Sequence, residues 1–235
     1  PDPVVRPAQG RTALSVVVPV LDEADGIRAT LDALRPLRAR GIEVIVADGG
    51  STDGTVAVCA GRVSEVIAAP RGRAAQMNAG AAAARGNVLL FLHADTLLPA
   101  DADERVLEGL SASGRCWGRF DVRIDGTSRL LAVVAWMMNR RSRWSGIATG
   151  DQAIFVTREA FDAVGGFPPQ PLMEDIEFST RLRRRGPPHC LRGRVHTSGR
   201  RWERRGVWRT IALMWRLRLL YWLGVNPERL ARAYR

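Results

Sequence analysis

The chain has 235 residues, 46% hydrophobic and 25% charged, which excludes a disordered polypeptide and suffices for one large α/β domain with or without an added lobe. All 35 basic residues are arginine against 24 acidic ones, and the net charge of +11 predicts an anionic partner: a nucleotide, an anionic lipid or nucleic acid. Cys59, Cys116 and Cys190 are too scattered for a disulfide framework or a zinc site and fit a reducing, cytoplasmic location; Pro1 to Thr12 has no apolar core of signal-peptide length, and no apolar stretch approaches the ~18 residues that span a bilayer.

Leu14 to Val20 reads as a first strand and Gly26 to Arg40 as a helix, with Ile27, Leu31, Leu34 and Leu37 on one face and Pro36 able to bend or divide it. Ile42 to Ala47 is a second strand, followed by the turn-rich Asp48-Gly49-Gly50-Ser51-Thr52-Asp53-Gly54-Thr55 and a helix to about Ala60. Glu65 to Ala69 is a third strand, Ala74 to Arg85 a helix and Val88 to His93 a fourth strand, apolar on both faces. Repeated strand and helix units of this kind predict a doubly wound, mostly parallel sheet flanked by helices, with ligands beyond the carboxyl ends of the strands.

After Asp95 the alternation ends. A helix from Asp101 to about Leu110 precedes a strand around Trp117 to Ile124, and Leu130 to Met138 is an apolar helix, buried or surface-seeking. Ala153 to Val156 is apolar, Arg158 to Val164 a short helix stopped by Gly165-Gly166, and Met173-Glu174-Asp175 opens another helix with arginines near its end. Val207 to Trp222 mixes apolar, aromatic and arginine residues, with Trp208, Trp215 and Trp222 seven apart; it reads as a membrane-interface helix, a dimerisation helix or a helix packed on its own domain.

Two carboxylates, Asp48 and Asp95, follow parallel strands and meet at one sheet edge. Asp48 suits hydrogen bonds to a base or ribose, and Asp95 suits the divalent cation that a diphosphate requires; either alone is also an ordinary turn residue. The helix start at Arg71-Gly72-Arg73 offers free N–H groups and guanidinium charge to phosphate, while neither a P-loop nor a GxGxxG motif is present, which disfavours ordinary ATPases and dehydrogenases. Glu174-Asp175 supplies either a favourable helix-start charge or a general base that deprotonates an acceptor hydroxyl.

Together, Val18-Pro19-Val20-Leu21-Asp22-Glu23, the Asp48 loop, the Arg73/Asn78/Gly80 helix, His93-Ala94-Asp95 and Glu174-Asp175 resemble, in order and spacing over roughly residues 14 to 205, a family 2 glycosyltransferase with the GT-A fold. The resemblance implies transfer of a sugar from a nucleotide-diphosphate donor to an acceptor hydroxyl, usually with inversion and with Mg²⁺ or Mn²⁺. Carried onto this chain, it implies that Pro19, Glu23, Asp48 and Ser51 line the nucleoside pocket, Arg73 holds the nucleotide, Asp95 binds the metal and Asp175 is the base. The family's Asp-x-Asp metal motif has His93 at its first position here, so His196 is a candidate further ligand. Arg201 and Trp202 resemble the Arg-Trp element of processive members, without the full Gln-x-x-Arg-Trp pattern; Arg201 would neutralise the leaving diphosphate. Arg200-Arg201-Trp202-Glu203-Arg204-Arg205-Gly206 with the following helix resembles a small bacterial subgroup associated with radical-SAM and selenium-related gene neighbourhoods.

The expected organisation is a GT-A domain over residues 1–205, with a nucleotide-binding half at about 14–97 and an acceptor half at about 98–205, and a C-terminal amphipathic helical tail over 206–235. The expected partners are a nucleotide sugar, an acceptor that includes lipid-linked candidates, a membrane surface at the inner face of the cell membrane, and a second copy of the chain; nucleic acid is not expected, because acidic clusters occupy the strand ends. The alternatives are a sugar-phosphate nucleotidyltransferase, which the acidic first loop disfavours, and a non-catalytic basic nucleotide or anionic-membrane binding protein.

Overall fold

The structure, a computed structural model, describes residues 12–234 with the exception of the Arg201 side chain. The readings that rest on residues 1–11 and on the Arg201 guanidinium lie outside the described residues.

The first half is built from β1 (Leu14–Val20), α1 (Ala24–Ala33), α2 (Arg35–Ala39), β2 (Glu43–Asp48), α3 (Thr55–Cys59), β3 (Glu65–Ala68), α4 (Arg73–Ala83) and β4 (Val88–Phe91). Strands β1 and β2 are buried at every position, as a central parallel strand covered on both faces must be. The expected single helix is two, because Pro36 stands in the first turn of α2 and the chain re-starts after Leu34. Residues of β1 alternate between two cores: Val16 and Val18 pack with Ile27 and Leu31, whereas Val17 packs with Ile45, Met77 and Phe91. Each such fully buried aliphatic side chain contributes about 1.5–3 kcal/mol. Helix α4 lies so close to β1 that a Cβ at Gly80 would stand 2.3 Å from Val17 Cγ1.

The second half adds β5 (Thr96–Leu97), α5 (Ala102–Ser113), β6 (Trp117–Asp125), α6 (Leu130–Ser145), β7 (Phe155–Thr157), α7 (Arg158–Ala163), α8 (Glu174–Arg183), β8 (His189–Ser198), α9 (Arg200–Arg205), α10 (Val207–Trp222) and α11 (Pro227–Tyr234). The eight strands form one sheet in the order β3-β2-β1-β4-β7-β6-β8-β5. Parallel pairing joins β3, β2, β1 and β4 and also β6 with β8, while β7 and β5 pair antiparallel. The fourth strand ends at Phe91, two residues earlier than expected, and the chain turns through His93 and Asp95 into β5 at the far edge.

Helix α6 turns Leu131, Val134 and Ala135 inward and leaves Trp136 59% exposed. Asn139 pins it to β6, accepting from Val122 N and donating to Val122 O, each at 2.9 Å. In α10, Leu217 joins Met173, Ile176 and Leu230 in a third small core, so this helix packs on the start of α8. Its other face remains open, with Trp208, Trp215 and Trp222 at 70%, 65% and 86% exposure. No helix among the described residues is long and apolar enough to cross a membrane.

Candidate active site

The carboxyl ends of β1, β2 and β4 meet at loops cross-linked by short polar side chains. Asp48 accepts from the amides of Gly50 and Ser51, each at 3.1 Å, and from Ser51 Oγ at 2.5 Å. Ser51 Oγ in turn accepts from Asp22 N at 2.9 Å, and Asp22 Oδ1 accepts from Thr52 N at 2.8 Å. Asp53 receives Ala24 N and the Thr55 hydroxyl, which hold its carboxyl below the ordinary carboxylate range. Beneath them the buried Gln76 of α4 donates from Nε2 to Val20 O at 2.6 Å and Ala47 O at 2.9 Å, tying the two strand ends to the helix. Pro19 is buried opposite Ala47 in the ladder.

These loops border a cavity of about 460 Å³ lined by Glu23, Asp53, Asp95, Arg200 and Arg204 among others. Partial burial pushes the Glu23 carboxyl up, the Asp95 carboxylate adds to that, and Arg200 and Arg73 oppose it. Acidic and guanidinium groups thus face one another across a polar space. A groove of about 270 Å³ near Glu43 and Arg85 lies at the other, amino end of β2; there Glu43 is satisfied by Ser15 and Arg85.

A separate narrow recess is lined by Met77, Phe91, His93, Gly150, Glu174 and Asp175, with His93 two positions before the Asp95 of the cavity. Asp175 is oriented by two backbone donors: Gly150 N reaches Oδ2 at 2.9 Å and Ile176 N reaches Oδ1 at 2.8 Å. The His93 ring contacts Asp151 Oδ1 through Nδ1 at 3.2 Å. Gly150 must lack a side chain, since a Cβ there would stand 2.3 Å from His93 Nε2. Glu174 is 5% exposed, and burial pushes its carboxyl well above the ordinary range, with Asp175 adding and Arg73 and His93 opposing. Arg73 therefore acts on both Glu23 in the cavity and Glu174 in the recess. Met173 enters α8 with φ of 64°, a left-handed conformation that presents Glu174 and Asp175 consecutively to the recess.

Residues 15–167 match the family described as Glycosyl transferase family 2. The chain belongs to that family. It is 31% identical over 163 residues to an uncharacterized glycosyltransferase of Mycobacterium tuberculosis, covering 66% of this chain and 62% of the relative. It is also 31% identical over 195 residues to the succinoglycan biosynthesis protein ExoA of Rhizobium meliloti, covering 74% and 59%. The chain thus spans about three fifths of the length of these curated relatives. The fold matches the mannosyltransferase PcManGT from Pyrobaculum calidifontis, solved with GDP-Man and Mn²⁺, at a TM-score of 0.62 and 21% identity, covering 80% of this chain and 57% of that one. It also matches S. aureus TarS 1-349, solved with UDP-GlcNAc, at a TM-score of 0.65 and 15% identity, covering 80% and 58%. The fold is GT-A.

Within this family 2 glycosyltransferase the structure brings Glu23 and Asp95 together, with Arg73 in electrostatic reach, and gathers Asp48 and Ser51 in the adjoining loop. His196 is in β8 opposite Leu97, and its Nδ1 contacts Asp125 Oδ2 at 3.1 Å. No group of three or more His, Cys, Asp or Glu side chains among the described residues is arranged to hold a metal. Asp95 would offer a divalent cation one protein carboxylate, and such a cation would supply charge neutralisation, as for Mg²⁺, which is commonly bound through one or two carboxylates. Gln76, Gly150, Asp151 and Arg200 were not singled out as site residues from sequence. Gly150-Asp151-Gln152 stands in the sequence directly before the apolar run Ala153 to Val156.

Proposed function

We propose that this chain transfers a sugar from a nucleotide-diphosphate donor to an acceptor hydroxyl by a single displacement with inversion. The observation that carries this reading is Asp175, fixed by Gly150 N in a recess whose Glu174 feels the same Arg73 charge as Glu23 of the Asp95 cavity. Asp175 takes the acceptor's proton, the freed oxygen attacks the anomeric carbon, and the bond to the diphosphate breaks with its electron pair leaving on oxygen. Glu23, Asp48 and Ser51 with Pro19 shape the nucleoside pocket, and Arg73 and Arg200 offset charge on the departing diphosphate. Asp95 would hold Mg²⁺ or Mn²⁺, which supplies further neutralisation of that charge. Relatives of the same fold solved with GDP-Man and Mn²⁺ or with UDP-GlcNAc support a donor of this class.

The nucleotide half is residues 14–97 and the acceptor half 98–205, with 206–235 as a tail that docks on α8 through Leu217. The exposed face of α10, where Trp208, Trp215 and Trp222 stand beside the exposed Arg209 and Arg216, suits the cytoplasmic surface of an anionic membrane and a lipid-linked acceptor. The arginine-rich segment before α10 agrees with the small bacterial subgroup associated with radical-SAM and selenium-related genes.

The test is a thermal-shift panel of UDP and GDP with and without Mn²⁺, on the native chain and on Asp95→Ala, followed by assays of transfer from UDP- and GDP-sugars. A nucleotide shift that grows with Mn²⁺ and loses that growth in Asp95→Ala is expected. Absence of binding to any nucleotide or nucleotide sugar removes the reading, and an unchanged metal-linked shift in the variant removes Asp95 from the metal.

A further inference from the structure

Two arginines on which the Asp175 charge bears have buried N–H groups with no hydrogen-bond partner among the described residues. Arg141, near the end of α6, has buried Nε and Nη2 atoms that bond nothing among the described residues, and Arg218 of α10 has a buried Nε in the same state. They come from segments 77 positions apart, each held by its own packing. Asn139 locks the preceding turn of α6 onto β6, and Leu217, 1% exposed, seats α10 against Met173 and Ile176 at the start of α8. The Asp175 charge bears on both arginines, and the Arg218 charge bears on Arg141. Burial drives the Arg141 guanidinium down to about 10, with Arg218 adding to the fall, and it lowers Arg218 as well.

Folded chains pair their buried charges and satisfy their buried donors, so a pair of desolvated cations with idle N–H groups calls for a counter-ion. Asp175 does not fill that role: its two oxygens accept from Gly150 N and Ile176 N, and it forms no ion pair with either arginine. Guanidinium groups present a planar fork that fits the oxygens of a phosphate or carboxylate. Two sources could bring such a group to the site, the acceptor and the donor diphosphate. The donor cavity has its own cations, Arg200 and Arg204, and neither Arg141 nor Arg218 lines it. Leu217, next to Arg218, packs on Met173 and Ile176, which flank Glu174 and Asp175 in the chain; the Asp175 charge bears on both arginines and that of Asp151 on Arg218 as well.

We propose that Arg141 and Arg218 form an anion subsite that holds a phosphate or carboxylate group of the acceptor beside Asp175. The proposal rests on the reading of Asp175 as the acceptor-side base. It makes the acceptor an anionic hydroxyl compound and makes α10 part of the acceptor site.

The experiment titrates the full chain with inorganic phosphate at constant ionic strength, alone and with a saturating nucleoside diphosphate and Mn²⁺, and repeats it on Arg141→Met and Arg218→Met. The expected result is phosphate binding that persists beside the nucleotide and weakens roughly tenfold or more in either variant, while nucleotide affinity is unchanged. With a desolvated charge removed, each variant is also expected to melt no lower than the native chain in the absence of phosphate. Phosphate that competes with the nucleotide in the native chain overturns the proposal, because it assigns the anion to the donor diphosphate. Phosphate affinity that both variants leave intact overturns it as well. Where a methionine variant does not fold, Arg218→Lys, which keeps the charge and loses the fork, gives the same readout, and the competition measurement needs no variant. Nucleotide binding without phosphate binding removes the subsite alone; phosphate binding at the arginines without any nucleotide binding supports the subsite while removing the transfer reading.

Discussion

The backbone amide of Gly150 donates to Asp175 Oδ2 at 2.9 Å, joining a turn after α6 to the first residues of α8. The same turn carries Asp151, which contacts His93 at the end of the β4 segment. Two hydrogen-bonding contacts thus connect the sheet edge that carries Asp95 with the helix that carries Asp175.

Replacing Asp175 by Asn keeps an oxygen for Gly150 N and removes the basicity. The expected outcome is a kcat lowered by about 10²–10⁴, with binding of the nucleoside diphosphate unchanged. Steady-state kinetics beside a nucleotide titration checks it; a variant with native turnover excludes Asp175 as the base.

Gly150→Ala tests the geometry without touching an ionisable group. Its Cβ would stand 2.3 Å from His93 Nε2, so the turn or the ring must move and Asp175 loses its alignment. Displacement of about 1 Å at such a group costs on the order of 10² in rate. A folded variant, verified by circular dichroism, with full activity would show that the contact carries no catalytic alignment.

The pH dependence of stability follows from Glu174. Its folded-state carboxyl is pushed above its unfolded value, chiefly by burial, so the folded chain holds a proton that the unfolded chain releases. The associated stabilisation is complete below the ordinary carboxylate range and declines as pH rises through the folded value. Glu174→Gln is expected to raise Tm at neutral pH relative to the native chain, with the gap closing in acid. Parallel melting curves of the two proteins across pH would contradict this assignment.

Gln76 is a structural test. Gln76→Leu leaves the buried carbonyls of Val20 and Ala47 without their side-chain donor, a loss of about 1–3 kcal/mol. At roughly 2–4 °C per kcal/mol for a chain of this size, a fall in Tm of several degrees is expected by calorimetry. A variant as stable as the native chain would show that other donors replace the amide.

The outer face of α10 is tested with vesicles. Trp208→Ser, Trp215→Ser and Trp222→Ser in one chain should abolish co-sedimentation with anionic vesicles and leave transfer to a water-soluble acceptor intact. If the native chain ignores vesicles but dimerises in light scattering, and the triple variant does not, the face is a subunit contact.

Much of the first half was legible in the sequence because its signals are local. Leu14–Val20 is apolar apart from Ser15 and becomes β1 with those bounds, and Pro36 marks the division between α1 and α2. Strand β5 was not legible: two residues, Thr96 and Leu97, carry no periodicity, and their partner is β8 about a hundred positions later. The same holds within the site. Asp48, Asp95 and Asp175 stood out as carboxylates at element ends, but the Gly150 contact is made across 25 positions. Gln76 looks like any polar helical residue until two strand ends are placed above it. Arg141 and Arg218 sit in arginine-rich stretches, and only tertiary packing separates the desolvated guanidinium groups from the solvated ones. His196 carries no local sign of its neighbour; it lies within β8, where parallel pairing with β6 brings it to Asp125.

The hop from β4 to β5 also sets an order of events during synthesis. Strands β1 to β4 can pair as soon as they emerge, but among the described residues β5 has no strand neighbour other than β8, and Asp95 O receives its backbone donor from Ser198. The turn that carries Asp95 is held from α1 by the Thr30 hydroxyl, which donates to Ala94 O at 2.6 Å, but it gains its strand support only after roughly a hundred more residues have left the ribosome, since domains assemble from the N-terminal side and distant strand pairs close late. A nascent chain halted before His189 is expected to hold a protected β1–β4 sheet while the Asp95 turn remains open to hydrogen exchange. Competence for the donor would thus arrive with the last strand of the sheet, long after the segment that carries its carboxylate has been made.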